Sequence, residues 1–293
     1  MEERFRITLA QTAPELLDIP HNTQRAAEAL ERAAERGSSL VVFPEMHLSG
    51  YGLEKARLPM SSRAALARDV ARALEGLAER GKQLGLDYLM SYPLFEDHGL
   101  FIAAAYVEQG RLRAVHRKLN LVNYGHYTED RNFDPGHHFT VVPTRLGTMG
   151  ILICEDLWHP VNAAVCAAHG MEILLAPSAP CVPDPSRATA NMADWKILLR
   201  GTAFSLTTYV LCATRGGREG DLAFDGGAFA LSPEGEVLLE LPPLEEAEGD
   251  VDIDRHALAA LRRRRPLLAN ERHDLYAAAF GDLVSSERPG TPA

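Results

Sequence analysis

Short apolar runs and amphipathic segments take turns along the first part of the chain. Phe5-Arg-Ile-Thr-Leu-Ala-Gln11 reads as a strand, and residues Asn22 to Arg36, rich in Ala, Glu and Arg, read as an amphipathic helix. Leu40-Val-Val-Phe43 is a second, fully apolar strand. Arg63 to Leu84 repeats apolar residues at helical spacing, and Asp87 to Tyr92 opens another strand. The pattern then changes. Phe101 to Val107 and Arg111 to His116 form a hairpin turning at Gln109-Gly110. Asn120 to His138 has no clear period, and loops of that length inside a compact domain tend to be functional.

Farther along, Ile151-Leu-Ile153 is a buried strand that stops on Cys154. His159 to His169 follows as a helix with Pro160 near its first turn. Beyond lie a strand (Glu172 to Ala176), a polar, proline-rich loop (Pro177 to Arg187) and a helix (Asn191 to Ser205). Strands at Tyr209 to Thr214, Gly226 to Leu231 and Glu236 to Leu239 precede a helix from Asp254 to Arg264, capped by its aspartate. Helices at both ends of a strand-rich centre predict an α/β protein of two sheets packed face to face with helices outside. Residues 1–284 are expected to form one domain, with 285–293 a flexible tail.

Composition narrows the function classes. A chain of 293 residues, 46% hydrophobic and with no repeat or linker-like tract, can bury a large single core. A formal charge of −10 argues against a nucleic-acid or anionic-membrane surface. The basic run Arg262 to Arg265 would spread around a helix and suits a solvated or interface role. With no basic-then-apolar leader, no membrane-length apolar stretch and four scattered cysteines, the expected location is the cytoplasm. Neither His-Glu-x-x-His nor Cys-x-x-Cys occurs, and His137-His138 is the sole adjacent histidine pair, so neither a metal nor another cofactor is expected. The Gly-x-Ser-x-Gly elbow of serine hydrolases is also missing.

Three residues carry candidate chemistry. Cys154 lies on a strand-to-helix turn, where a helix N-terminus favours thiolate. Glu45 follows a strand directly, fixed by Pro44 and followed by a turn at Gly50. Lys118 closes the strand Val115-His-Arg-Lys118 at the mouth of the long loop. A carboxylate can take a thiol's proton and pass it to a leaving amine, while an ammonium and a backbone N–H stabilise the oxyanion. That set suits acyl transfer from an amide or a nitrile. Cys181, with no elbow and no patterned base, ranks below Cys154, and Cys166 and Cys212 read as core.

The runs Phe43-Pro-Glu-Met-His-Leu-Ser-Gly-Tyr51, His116-Arg-Lys-Leu-Asn-Leu121 and Gly150-Ile-Leu-Ile-Cys-Glu-Asp-Leu-Trp158 resemble the nitrilase superfamily, the carbon–nitrogen hydrolases with a Glu-Lys-Cys triad. Supporting matches reach from Ala10-Gln11 to Arg265-Pro-Leu-Leu-Ala-Asn-Glu-Arg-His-Asp-Leu-Tyr276. The resemblance implies an αββα sandwich of two central mixed sheets flanked by helices, paired as a homodimer. It implies Glu45 as general base, Lys118 as oxyanion stabiliser, Cys154 as nucleophile, and Glu129 as the second glutamate that orients the lysine.

Asn120-Leu-Val-Asn-Tyr124-Gly-His-Tyr-Thr-Glu129 and Cys154-Glu-Asp-Leu-Trp158 look most like glutaminase domains of glutamine-dependent NAD synthetases. That implies Tyr51, Tyr124, Glu155 and Trp158 as substrate-binding positions, with core packing the alternative for Tyr51 and Trp158. An acid beside the thiol opposes thiolate, which a grip on a substrate ammonium would justify. Ala179 replaces the serine those domains carry before a proline, and the nearest arginine is Arg187. Lacking a P-loop, the chain would supply ammonia to a separate synthetase or act alone. A nitrilase, an N-carbamoyl amidohydrolase and a catalytically silent scaffold are the competing readings.

Overall fold

In the computed structural model, which describes residues 2–54, 60–96 and 99–285, six strands make the first sheet. They are β1 (Arg4–Gln11), β2 (Ser38–Val42), β3 (Asp87–Glu96), β4 (Gly99–Glu108), β5 (Arg111–Arg117) and β15 (Ala247–Asp254), in the order β15-β1-β2-β3-β4-β5. The second sheet runs β14-β13-β10-β8-β7-β6. Its members are β6 (Thr140–Thr144), β7 (Gly147–Ile151), β8 (Ile173–Ser178), β10 (Tyr209–Thr214), β13 (Phe229–Leu231) and β14 (Val237–Glu240). Both sheets are mixed. The β1–β2–β3 and β7–β8–β10 pairings are parallel and the outer ones antiparallel.

Parallel strands buried on both faces need unbroken apolar sequence. Leu40 to Val42, Ile173 to Ala176 and Val210 to Ala213 supply it, all fully buried. Helices α1 (Ile19–Glu35) and α2 (Met60–Leu84) cover the first sheet, while α3 (Pro160–Ala168) and α4 (Ala188–Leu206) cover the second. The sheets meet through β1 and β10, and apolar residues of both form one continuous core. The layers are therefore α, β, β, α, as expected. The hairpin between β4 and β5 turns on Gln109 (φ 47) and Gly110 (φ 81), two positive-φ residues that match the strand twist.

Several elements depart from the sequence reading. β15 was not expected, because Ala247-Glu-Gly-Asp-Val-Asp-Ile-Asp254 is too acidic to look like a strand. Its carboxylates pair with arginines beside it: Glu248 with Arg32 and Arg36, Asp250 with Arg36, Asp252 with Arg6. An edge strand tolerates such charge. β6 was also missed, as was α6 (His273–Ser285), whose residues are all exposed. Ser285 ends α6, and the remainder of the expected tail, 286–293, lies outside the described residues. The basic run is also more than a solvated face. Arg262, on α5 (Arg255–Arg264), donates to the Thr207 and Met171 carbonyls, and Arg265 covers the Phe204 ring.

A third, small sheet joins β9 (Cys181–Val182), β12 (Leu222–Phe224) and β11 (Arg218–Glu219), in the order β11-β12-β9. It ties the proline-rich loop after β8 to the turn after β10, beside the ends of the strands that carry the candidate residues.

Candidate active site

Glu45, Lys118 and Cys154 each follow the carboxyl end of a strand: β2 and β5 in one sheet, β7 in the other. Packing the sheets face to face brings those ends together. Glu45 sits in a tight turn closed by the Gly50 N–H donating to the Met46 carbonyl, with Met46 N–H held by Ser91 Oγ. The Lys118 N–H donates to the Ile102 carbonyl, which prolongs the ladder by one residue. The ladder of β7 stops at Ile151, two residues short of the expected end. Cys154 then adopts φ 49 and begins a 3₁₀ turn, Cys154–Trp158, that leads into α3. A cysteine with positive φ is strained, and such strain accumulates at functional sites.

The elbow is locked by Asp156, whose role the sequence did not reveal. One carboxylate oxygen accepts from the Ile153 N–H (2.9 Å) and sits 3.1 Å from His116 Nε2. The other accepts from the Leu119 and Asn120 N–H groups at 2.9 and 2.7 Å. Asp156 thus ties the Cys154 turn to the backbone just after Lys118. A run of Asp after Cys-Glu is the only local signal, and it cannot show a partner 37 residues away.

Lys118 is fully buried between two carboxylates. Its Nζ donates to Glu45 Oε1 and to Glu129 Oε1, each at 2.8 Å. Glu129 is fixed in turn by the Tyr51 hydroxyl (2.5 Å) and by the Val122 N–H (3.0 Å). The second oxygen of Glu45, Oε2, is buried with no hydrogen-bond partner. Buried polar atoms are rarely left so, and an orphaned carboxylate oxygen is the natural receiver of a proton.

The electrostatics follow from two buried carboxylates sharing one ammonium. Burial alone would push Lys118 down, but Glu129 and Glu45 together hold it well above the usual lysine value, so it stays cationic. Burial raises Glu45 to about 7; Lys118 pulls down and Glu129 pushes up. Burial and then Glu45 hold the Cys154 thiol well above its ordinary value, against the pull of Lys118 and a hydrogen bond from the Ala179 N–H. The sequence expectation of a helix-stabilised thiolate is therefore reversed. Cys154 rests as a thiol, because a thiolate would add a third negative charge around a single ammonium.

A cavity of about 430 Å³ opens on Cys154. Tyr124, Glu155 and Trp158 line it, together with His126, Cys181 and Arg187. Tyr124, 60% exposed, donates to Glu155 at 2.9 Å, and Trp158, 38% exposed, packs edge-on against Trp195. Tyr51 stands elsewhere: it is buried behind Glu129, between Tyr127 and Phe224, and is not among the lining residues. The rival thiol also has a neighbour the sequence did not show, with His126 Nε2 3.1 Å from Cys181 Sγ. Cys166 and Cys212 are buried core, as expected.

Residues 6–263 match the family model described as carbon-nitrogen hydrolase. The chain belongs to that family. Among curated relatives of this carbon-nitrogen hydrolase is the glutamine-dependent NAD(+) synthetase of Thermotoga maritima, 34% identical over 273 residues, 89% of this chain and 45% of the relative. The chain thus spans about half the length of that synthetase. An omega-amidase of Xenopus tropicalis is 27% identical, covering 93% of this chain and 97% of the relative. A solved single mutant of the amidase from Nesterenkonia sp. AN1 superposes with a TM-score of 0.77 at 26% identity, over 94% of this chain and 96% of that one. It carries the acetamide moiety of fluoroacetamide, added covalently at its active site cysteine. The relatives place the carbon-nitrogen hydrolase among the amidase-like members of the nitrilase superfamily. No helix among the described residues is long and apolar enough to cross a membrane, and no cluster of His, Cys, Asp and Glu among them is placed to hold a metal.

Proposed function

We propose that this chain is an amidase that releases ammonia from a small linear, glutamine-like amide through a thioester on Cys154. The observation that carries the reading is Lys118 clamped between Glu45 and Glu129, together with a cavity that opens on Cys154. Glu45 Oε2 takes the thiol proton as sulfur attacks the amide carbon. Charge then moves from carboxylate to oxyanion while Lys118 stays in place to balance it. As the tetrahedral intermediate collapses, Glu45 returns the proton to the departing nitrogen and ammonia leaves. A water deprotonated by Glu45 attacks the thioester, the carboxylic acid departs and the thiol is restored.

The cavity supports the head group. Glu155, held by Tyr124, would take an ammonium and Arg187, across the cavity lining, a carboxylate. Trp158 offers an apolar wall for the methylenes between. The glutamine dependence of the Thermotoga relative supports the same substrate class. Exposed Leu275, Tyr276, Phe280 and Leu283 on α6 support a homodimer formed through helices. Tyr51 serves this scheme by holding Glu129 rather than by touching substrate.

The test is ammonia release from a panel of amides, nitriles and ureido acids. Glutamine-like amides should lead; carbon dioxide released along with ammonia would instead mark a carbamoyl substrate. The pH profile follows from Glu45. It must be ionised to accept the proton, and burial has raised it to about 7. As pH falls below that value, kcat/KM should drop about tenfold per unit. A profile flat down to pH 5 would remove Glu45 as the base.

A further inference from the structure

The Tyr51 hydroxyl that fixes Glu129 is itself held from outside the site. The backbone N–H groups of Tyr51 and Gly52 are both taken by one carboxylate. Glu219 Oε2 accepts from the Tyr51 N–H at 3.1 Å, and Oε1 accepts from the Gly52 N–H at 2.7 Å. Glu219 lies 168 residues beyond Tyr51 in the chain, on β11 of the small third sheet. Its grip needs close approach: a Cβ on Gly50 would stand 2.6 Å from one carboxylate oxygen, and one on Gly52 would stand 2.7 Å from the other. Gly50 also has φ +76, which other residues rarely adopt.

The carboxylate is anchored in turn by Arg215, the largest fully buried side chain among the described residues. Arg215 Nη1 donates to Glu219 Oε2 at 2.6 Å, and Nη2 donates to the Pro14 carbonyl at 2.7 Å. Its guanidinium lies 4.0 Å from the centre of the Phe224 ring, and that ring packs edge-on against Tyr51. A buried arginine is retained at a cost in desolvation, and replacing such a pair with apolar residues is often neutral or stabilising. Stability alone therefore gives no reason for it.

We infer that Glu219, clamped by Arg215, is a positioning residue that holds the Tyr51 hydroxyl on Glu129 and so sets where the Lys118 ammonium points. The inference rests on the proposed roles of Lys118 and Cys154. The chain of contacts is continuous: Arg215 to Glu219, Glu219 to the Tyr51 backbone, Tyr51 Oη to Glu129, Glu129 to Lys118. Phe224 pairs with Cys181 across β12 and β9, so the same clamp borders the strand that walls the substrate cavity. Neither Glu219 nor Arg215 lines that cavity.

The test is a double-mutant cycle of Glu219→Gln with Tyr51→Phe, in steady-state ammonia release. Rates are expressed per Cys154 thiol titrated with a small haloacetamide and located by peptide mapping, so that unfolded protein does not count. Glutamine keeps the volume of Glu219 but cannot accept both N–H groups while facing Arg215. Glu219→Asp, which keeps the charge but draws the carboxylate back by one methylene, is the companion should the glutamine variant fold poorly. Each Glu219 variant is expected to lower kcat roughly tenfold with KM changed by less than about threefold. Added to Tyr51→Phe, it should cost less than about twofold more, because the two act through one bond. Full kcat in the Glu219 variants, or losses that multiply with Tyr51→Phe, would overturn the inference. A wild-type enzyme that releases no ammonia, or a Cys154→Ala variant that does, would instead overturn the function on which it rests.

Discussion

Replacing Cys154 by alanine is expected to reduce ammonia release to background, a loss on the order of 10⁴-fold or more. The geometry allows no substitute. Cys154 is the thiol on the positive-φ elbow, within electrostatic reach of Glu45, Lys118 and Glu129. Cys181 shares the cavity wall, but its sulfur is engaged with His126 and lies on the small third sheet rather than at the elbow. The variant should fold, since alanine fills most of the buried space and leaves Asp156 holding the turn. The assay is ammonia release with the best amide of the panel. Activity within tenfold of wild type would sink the mechanism.

Lys118→Ala should lower kcat by roughly 10²–10³-fold and weaken substrate capture far less. The reason lies in timing. In the resting enzyme the ammonium already has two carboxylate partners, so a neutral amide gains little from it. Once Glu45 has accepted the proton, one partner is neutral and the ammonium is free to face the new oxyanion. Removing Lys118 also leaves Glu45 and Glu129 buried without their counter-charge, at about 3–5 kcal/mol if both stayed ionised. One of them would take a proton instead. Lys118→Gln, which keeps an N–H donor on that side but not the charge, is the companion variant, and thermal melting of both tells loss of stability from loss of rate. A fall in affinity with kcat unchanged would contradict the assigned role.

Glu45 and Cys154 were legible because each lies just past a short apolar strand, whereas Lys118 closes the polar strand β5 and stood out only beside them. The meeting of the three in space was not legible, since periodicity says nothing about which strand ends become neighbours. Glu129 came from resemblance alone; no local pattern distinguishes it from Asp130 beside it. For Tyr51 the resemblance implied a substrate-binding position with core packing as the alternative; the side chain is buried, its hydroxyl donates to Glu129, and its backbone N–H donates to Glu219 on a distant strand. Asp156 and Arg215 escaped for the same reason, as their partners lie far away in the chain. β15 was hidden by carboxylates that make sense only against the arginines of α1 and β1. The thiolate expected at Cys154 is not favoured because α3 begins only at Pro160, and burial and then Glu45 push the thiol up.

The central claim is that the reaction passes through an acyl group on Cys154. Intact-protein mass spectrometry of enzyme quenched in acid during turnover of a slow amide, followed by peptide mapping, tests it most directly. The account predicts a mass increase equal to the acyl group, located on Cys154 and absent from the Cys154→Ala variant. Ammonia release in the same sample with no acyl group on Cys154, or with the acyl group on Cys181, would contradict it.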